Sequence, residues 1–232
     1  MKFFLLILAV VAGLPGMAWS LEKKSFRQVR LDDLTKETQR VYSENGVHLA
    51  WWIPPEFWEA TFAREKGTSS EKKEQILQEL RPYSMLAIVQ ADISPLGSFS
   101  FYNQREIEKH LRISYTGPDG KTRQLLPMKN IPQDLQLLQQ RIKPILAAAM
   151  GNLGQNFYFF TLDDRAGHRR LISPYQTGAL TVRLLKRDGN TIEPFTIETP
   201  LDALFVPRIC PNGKKAHISW KFCPWDGSRL PQ

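Results

Sequence analysis

Two cysteines in 232 residues leave no material for a disulfide framework or for a four-thiolate metal centre. No Asn-x-Ser/Thr acceptor occurs anywhere, which suits a bacterial envelope better than a glycosylating secretory route. After residue 20 no apolar run approaches the roughly 20 residues that a membrane-spanning helix takes. There is no P-loop, dinucleotide fingerprint, nucleophile elbow or His-Glu-x-x-His pair. Internal repeats and low-complexity segments are missing too. What remains is 42% apolar and 23% charged, the proportions of an ordinary globular domain.

The first 20 residues read as a removable targeting segment. Lys2 supplies the positive start and Phe3 to Leu14 the apolar stretch. Ala18 and Ser20 put small residues three and one before a cut between Ser20 and Leu21. The cut leaves thirty basic residues against 23 acidic, a net of +7. An exported chain of that charge meets anionic envelope components rather than the genome, and no DNA- or RNA-binding motif is present.

The stretch Tyr83 to Tyr102 predicts the centre of a sheet. Met85 to Ile93 is a strand-length apolar run between Pro82 and Pro95, and Ser98 to Phe101 alternates so that Phe99 and Phe101 share one face. Val47 to Ile53 is a second strand. Helices are expected from Glu56, from a cap at Thr68 with Glu71, after Asn103, and from Ile131 to Met150 with Pro144 as a kink. In the last of these, Leu135, Leu138, Ile142, Ile145 and Leu146 face the sheet. Phe157 to Leu162 is a further strand. Turns at Gly117-Pro-Asp-Gly120 and Asp188-Gly189 each predict a hairpin. Leu21 to Arg40 reads as a loosely docked arm or short helix. Trp51, Trp52 and Trp58 read as core rather than as a ligand platform. The fold class is therefore α+β: a mainly antiparallel sheet with two or three packed helices over residues 21–200, and a small hairpin appendage over 201–232.

Two segments contain residue types that carry chemistry. In Asp163-Asp164-Arg165-Ala-Gly-His168-Arg169-Arg170, the acids and His168 offer acid–base or metal chemistry. The cations Arg165, His168, Arg169 and Arg170 offer an anion-binding patch. His48 and His110 stand alone and read as structural. The second segment is Cys210-Pro-Asn-Gly213 with Cys223-Pro-Trp-Asp-Gly227. It resembles a zinc ribbon in which each knuckle keeps its first cysteine and lacks its second, Gly213 and Asp226 standing in those places. Two thiolates with Asp226 and His217 are a poor zinc set, so a Cys210–Cys223 disulfide is expected in an oxidising compartment. No cofactor and no metal are expected.

Trp51-Trp-Ile-Pro-Pro-Glu-Phe-Trp58, Arg81-Pro-Tyr83, Pro95-Leu-Gly97 and Gly151-Asn-Leu-Gly-Gln-Asn156 resemble a group of exported bacterial proteins with no assigned activity. The resemblance implies an envelope location and transfers no site residue. Together these readings point to a non-enzymatic periplasmic or secreted binding protein, contacting anionic envelope components or a partner protein. The rival reading is a hydrolase or metal-dependent enzyme built on Asp163, Asp164 and His168.

Overall fold

A computed structural model describes residues 21–44, 46–167 and 169–230. The targeting segment up to Ser20, Asn45 and His168 lie outside the described residues. The strands are β1 (Gln39–Tyr42), β2 (Gly46–Ile53), β3 (Tyr83–Ile93), β4 (Phe99–Phe101), β5 (Arg112–Thr116), β6 (Thr122–Leu125), β7 (Tyr158–Asp163), β8 (Arg165–Ala166), β9 (Arg169–Arg170), β10 (Gly178–Arg183), β11 (Phe195–Thr199), β12 (Arg208–Ile209) and β13 (Lys215–Ala216). The helices are α1 (Leu31–Thr38), α2 (Pro55–Phe62), α3 (Ser70–Leu80), α4 (Gln104–His110) and α5 (Gln133–Ala149). The class is α+β, and every strand pairing is antiparallel.

β3 is the centre. Tyr83 to Ala91 are all buried. One edge of β3 pairs with β2 along Met85–Asp92, and the other is shared by β7 at Tyr83–Ile88 and β4 at Ala91–Ile93. Its two faces have different covers. On the face of Met85, Gln139 of α5 donates to Thr161 Oγ1 at 2.7 Å and approaches Met85 Sδ at 3.7 Å. On the face of Gln90, Nε2 donates to the Leu185 carbonyl at 2.8 Å. Leu185 follows β10 in a second sheet of order β11-β10-β5-β6. Helix, sheet and second sheet thus stack around one apolar core, which is how both faces of so apolar a strand come to be covered.

Several expectations change in detail. Phe99 is 49% exposed and Phe101 half-buried, so β4 is a short edge strand with no buried face. The third helix is capped by Ser69, which accepts from Lys72 N, one residue later than the Thr68 pattern suggests. The 21–40 arm is docked firmly: Val29 and Leu34 are fully buried, and Lys24 N donates to Leu204 O at 2.9 Å. α5 runs on through Pro144. Leu135 and Leu146 pack inward, but Ile145 is 70% exposed because it lies a helical step off that face. The Asn103 cap is a full capping box with Glu106. Trp51, Trp52 and Trp58 are core residues, with Phe57 edge-on to both Trp51 and Trp58.

Leu86, on the most buried strand with no exposed surface, sets the test of this architecture. Leu86→Ala should lower unfolding stability by about 2–5 kcal/mol through lost transfer energy and cavity formation. Urea titration followed by tryptophan fluorescence reads the loss. A change under about 0.5 kcal/mol, the level of an ordinary surface substitution, would mean that β3 is not the core strand.

Candidate functional site

The acidic–basic loop after β7 folds back as the two-residue ladder β8–β9. Its two aspartates part company. Asp163 is on the surface, where Arg165 holds it bidentately at 2.7 and 2.8 Å and keeps its carboxyl below the usual range. Asp164 is fully buried. It accepts from Ser84 Oγ at 2.8 Å, from Arg170 at 2.7 and 3.1 Å and from the Ile172 amide at 2.6 Å. Three of these bonds converge on Oδ2 and one reaches Oδ1, so the carboxylate is held from both ends by the protein itself. The same Arg170 reaches Glu56 Oε1 of α2 at 2.5 Å. Glu56 Oε2 has no partner, and burial raises the Glu56 carboxyl despite that guanidinium. Of the four cations in the sequence pattern, Arg165 and Arg170 are therefore committed to carboxylates of the protein. Arg169 is exposed, and His168 lies outside the described residues. This loop is a clamp joining α2 to the sheet.

The two cysteines do come together. Each knuckle closes with a glycine amide donating to the cysteine carbonyl, Gly213 to Cys210 and Gly227 to Cys223, both at 2.9 Å, and both glycines have positive φ. The two residues sit 2.5 Å apart, within reach of a disulfide. Oxidation would join them without moving the knuckles. With Ala216 and Leu230 they form a small second core. Leu201, Ala203, Leu204, Phe205 and Ile218 belong to the main core instead. The self-contained part of the C-terminus is therefore a module of about residues 208–230. Asp226 is occupied by Ser228 N and Oγ at 2.9 and 2.6 Å, and His217 turns away to Asp202 and Ser219. Among the described residues, no three His, Cys, Asp or Glu side chains are placed to hold a metal.

The outside of this module is where its chemistry lies. Trp220 is 43%, Phe222 59% and Trp225 48% exposed, large apolar side chains left in water. Lys214 Nζ stands 5.2 Å from the Trp225 ring centroid. Arg208, Lys214, Lys215, Lys221 and Arg229 face one acid, Asp226, a net of +4 over residues 208–230. No carboxylate among the described residues comes within salt-bridge range of Lys214, Lys215, Lys221 or Arg229.

Where the module meets the main domain, an acidic pair goes unnoticed in the sequence, since its members are 165 positions apart. Glu37, in the last turn of α1, accepts from the Ala203 amide at 2.9 Å. Asp202 accepts from the Ile218 amide at 2.7 Å and lies 3.4 Å from His217 Nε2. Clefts of about 280 and 440 Å³ open at this junction, and both are lined by Glu37 and Asp202. Burial, with repulsion from Asp202 second, pushes the Glu37 carboxyl up to about 7 against the pull of nearby amides and Lys24. A carboxyl with that affinity holds or releases a proton near neutrality.

No family model, curated protein or solved structure matches this chain.

Two outcomes test this geometry. The folded state holds the Glu37 proton more tightly than the unfolded chain, where glutamate titrates near 4.5. Glu37 ionisation therefore erodes stability as pH rises from about 4.5 to about 7, after which the loss is complete. Glu37→Gln should flatten that part of the stability–pH curve and leave the variant the more stable protein at pH 8. Denaturant midpoints across pH 4.5–8 decide, and parallel curves would rule out the titration. Separately, oxidised protein should weigh two hydrogens less than its reduced form and give no thiol titre when native. Reduction should cost about 3 kcal/mol of local stability by freeing a short loop. Two titratable thiols after exposure to oxidant would overturn the pairing.

Proposed function

We propose that the protein is a non-enzymatic binding protein of the bacterial envelope, exported by its N-terminal segment, and that it docks peripherally on anionic phospholipid surfaces through its C-terminal module. The observation that carries this reading is the pairing of exposed Trp220, Phe222 and Trp225 with uncompensated Lys214, Lys215, Lys221 and Arg229 on one small stapled unit. Indole rings favour the head-group level of a bilayer, where an apolar ring body and a polar N–H are both accommodated. Basic side chains next to an anionic leaflet contribute about 1 kcal/mol each. Charge complementarity selects the partner: over residues 208–230 five cations and three exposed aromatic side chains face a single acid. In the main domain, Arg81, Arg123, Arg165, Arg170 and Arg187 are all tied to carboxylates. No described helix is long and apolar enough to cross a membrane, so attachment would be superficial. The resemblance to exported bacterial proteins supports the same location. Acid–base chemistry at Asp163 and Asp164 has less support, because Asp164 is buried and bonded by four groups of the protein and Asp163 is paired with Arg165.

The experiment is co-flotation with vesicles of zwitterionic lipid alone or with one third anionic lipid. Binding to the anionic vesicles only, lost in high salt, is expected. Trp220→Ala with Trp225→Ala should weaken it at least tenfold at all salt concentrations, and Lys214→Glu with Lys215→Glu should abolish its salt dependence. Equal affinity for both vesicle types, or binding unchanged in folded variants, would sink the proposal. So would retention by an acidic polysaccharide without retention by vesicles.

A further inference from the structure

His48, read in the sequence as a lone structural histidine, is the most unusual polar group in the sheet. It is 1% exposed, and neither ring nitrogen has a hydrogen-bond partner. Its neighbours repeat the pattern. Gln90 is fully buried, and its Oε1 has no partner although its Nε2 is anchored on Leu185 O at 2.8 Å. Asp92 Oδ1 has no partner, although its Oδ2 accepts from Tyr102 OH at 2.6 Å. Stranded polar atoms of this kind cost about 1–3 kcal/mol each when left unsatisfied, so four on three neighbouring side chains need a reason.

The ladder puts them together. His48 is directly opposite Gln90, and Gly46 directly opposite Asp92. Cross-strand partners share a face, and so do residues two apart. A Cβ on residue 46 would lie 2.7 Å from His48 Nε2 and 2.3 Å from Ala91 O. The imidazole therefore overhangs Gly46 toward the Asp92 rung, and only glycine permits it. Gln90 and Asp92 each have one atom held in place and another left free on the face they share with His48, the way outer groups orient metal ligands. Tyr102 is a dependable anchor, since burial and its Asp92 partner push the phenol up to about 12.

We propose that His48, Gln90 and Asp92 form a binding site for one divalent transition-metal ion of the zinc type, held by an imidazole nitrogen, an amide oxygen and a carboxylate oxygen. Mixed nitrogen and oxygen donors suit such an ion. Its bonds are about 2.0–2.2 Å long, so two ligands of one ion stand roughly 3–4 Å apart, at or beyond hydrogen-bond range of each other. The stranded atoms lie on one face of neighbouring rungs, are buried, and make no hydrogen bond to one another. Each exposes under 1 Å², so an ion reaching them sheds its water there. His48 also lines a cleft of about 410 Å³ with Ser43, Glu44, Lys186, Thr191 and Glu193 at its walls. Glu44 and Glu193 outweigh Lys186 at those walls, while Arg187, held by Glu106 at 2.9 Å, also comes within 4.0 Å of Asp92 Oδ2. The cleft is thus a negative entrance beside His48.

The test uses mature, oxidised, metal-stripped protein titrated with Co²⁺ by visible absorption and with Zn²⁺ by calorimetry at pH 7. One ion per chain is expected. His48→Ala and Asp92→Asn should each weaken binding at least tenfold, while His217→Ala, which alters a surface histidine outside the cluster, should leave it unchanged. No uptake at millimolar metal overturns the site, as does uptake that follows His217 instead of His48. Should the buried variants misfold, the unaltered protein still decides. Zn²⁺ must shift the ¹⁵N resonances of the His48 ring, and a ring that does not respond refutes the proposal.

Discussion

A strand whose residues are buried from Tyr83 to Ala91 has no water for its backbone amides and no polar face to offer. Its hydrogen bonds must be made on both edges and its side chains covered on both faces. The remainder of the architecture is the response to that requirement. β2 takes one edge, and β7 with β4 takes the other. α5 closes one face through Gln139, and the second sheet closes the opposite face through the chain that leaves β10. The places where this closure leaves polar atoms unmatched are the places where a ligand would add most.

Charge is managed in two ways across the molecule. In the main domain, several arginines are spent on structure. Arg170 ties Asp164 to Glu56, and Arg187 ties α4 to the segment after β10 through Glu106 and the Phe101 carbonyl. A buried clamp such as Arg170 fixes which partners meet more than it adds stability, because desolvation consumes most of the Coulomb gain. In the 208–230 module the charges are left in solvent beside exposed rings. The net charge of the sequence, taken whole, hides this division.

Legibility followed the range of the signal. Asn103 with Glu106, Gly117 to Gly120, and the apolar run of β3 are read correctly because the interacting residues lie within a few positions of each other. Thr68 against Ser69 as cap is a one-residue error of a pattern in which three small hydroxyl residues are adjacent. The pairing of Cys210 with Cys223 was also legible, since each knuckle carries its own turn. Asp164 was not. Nothing local separates it from Asp163, and its burial depends on Ser84, eighty residues away. Glu37 and Asp202 are invisible for the same reason. Trp220-Lys-Phe222 does carry a local signal, an aromatic–base–aromatic alternation with no buried partner. Attention to the cysteines alone passes over it.

The module and the main domain are not independent, and the connection is electrostatic as well as apolar. Ile218 anchors the module in the main core, while its amide is held by Asp202, which faces Glu37 on α1 and His217 on the module. Near neutrality Glu37 changes charge against a fixed Asp202. Above that point two carboxylates share one junction, with Lys24 close enough to Glu37 to answer part of the charge. The module is held to the main domain most firmly in mildly acidic surroundings, where the Glu37 proton removes that repulsion.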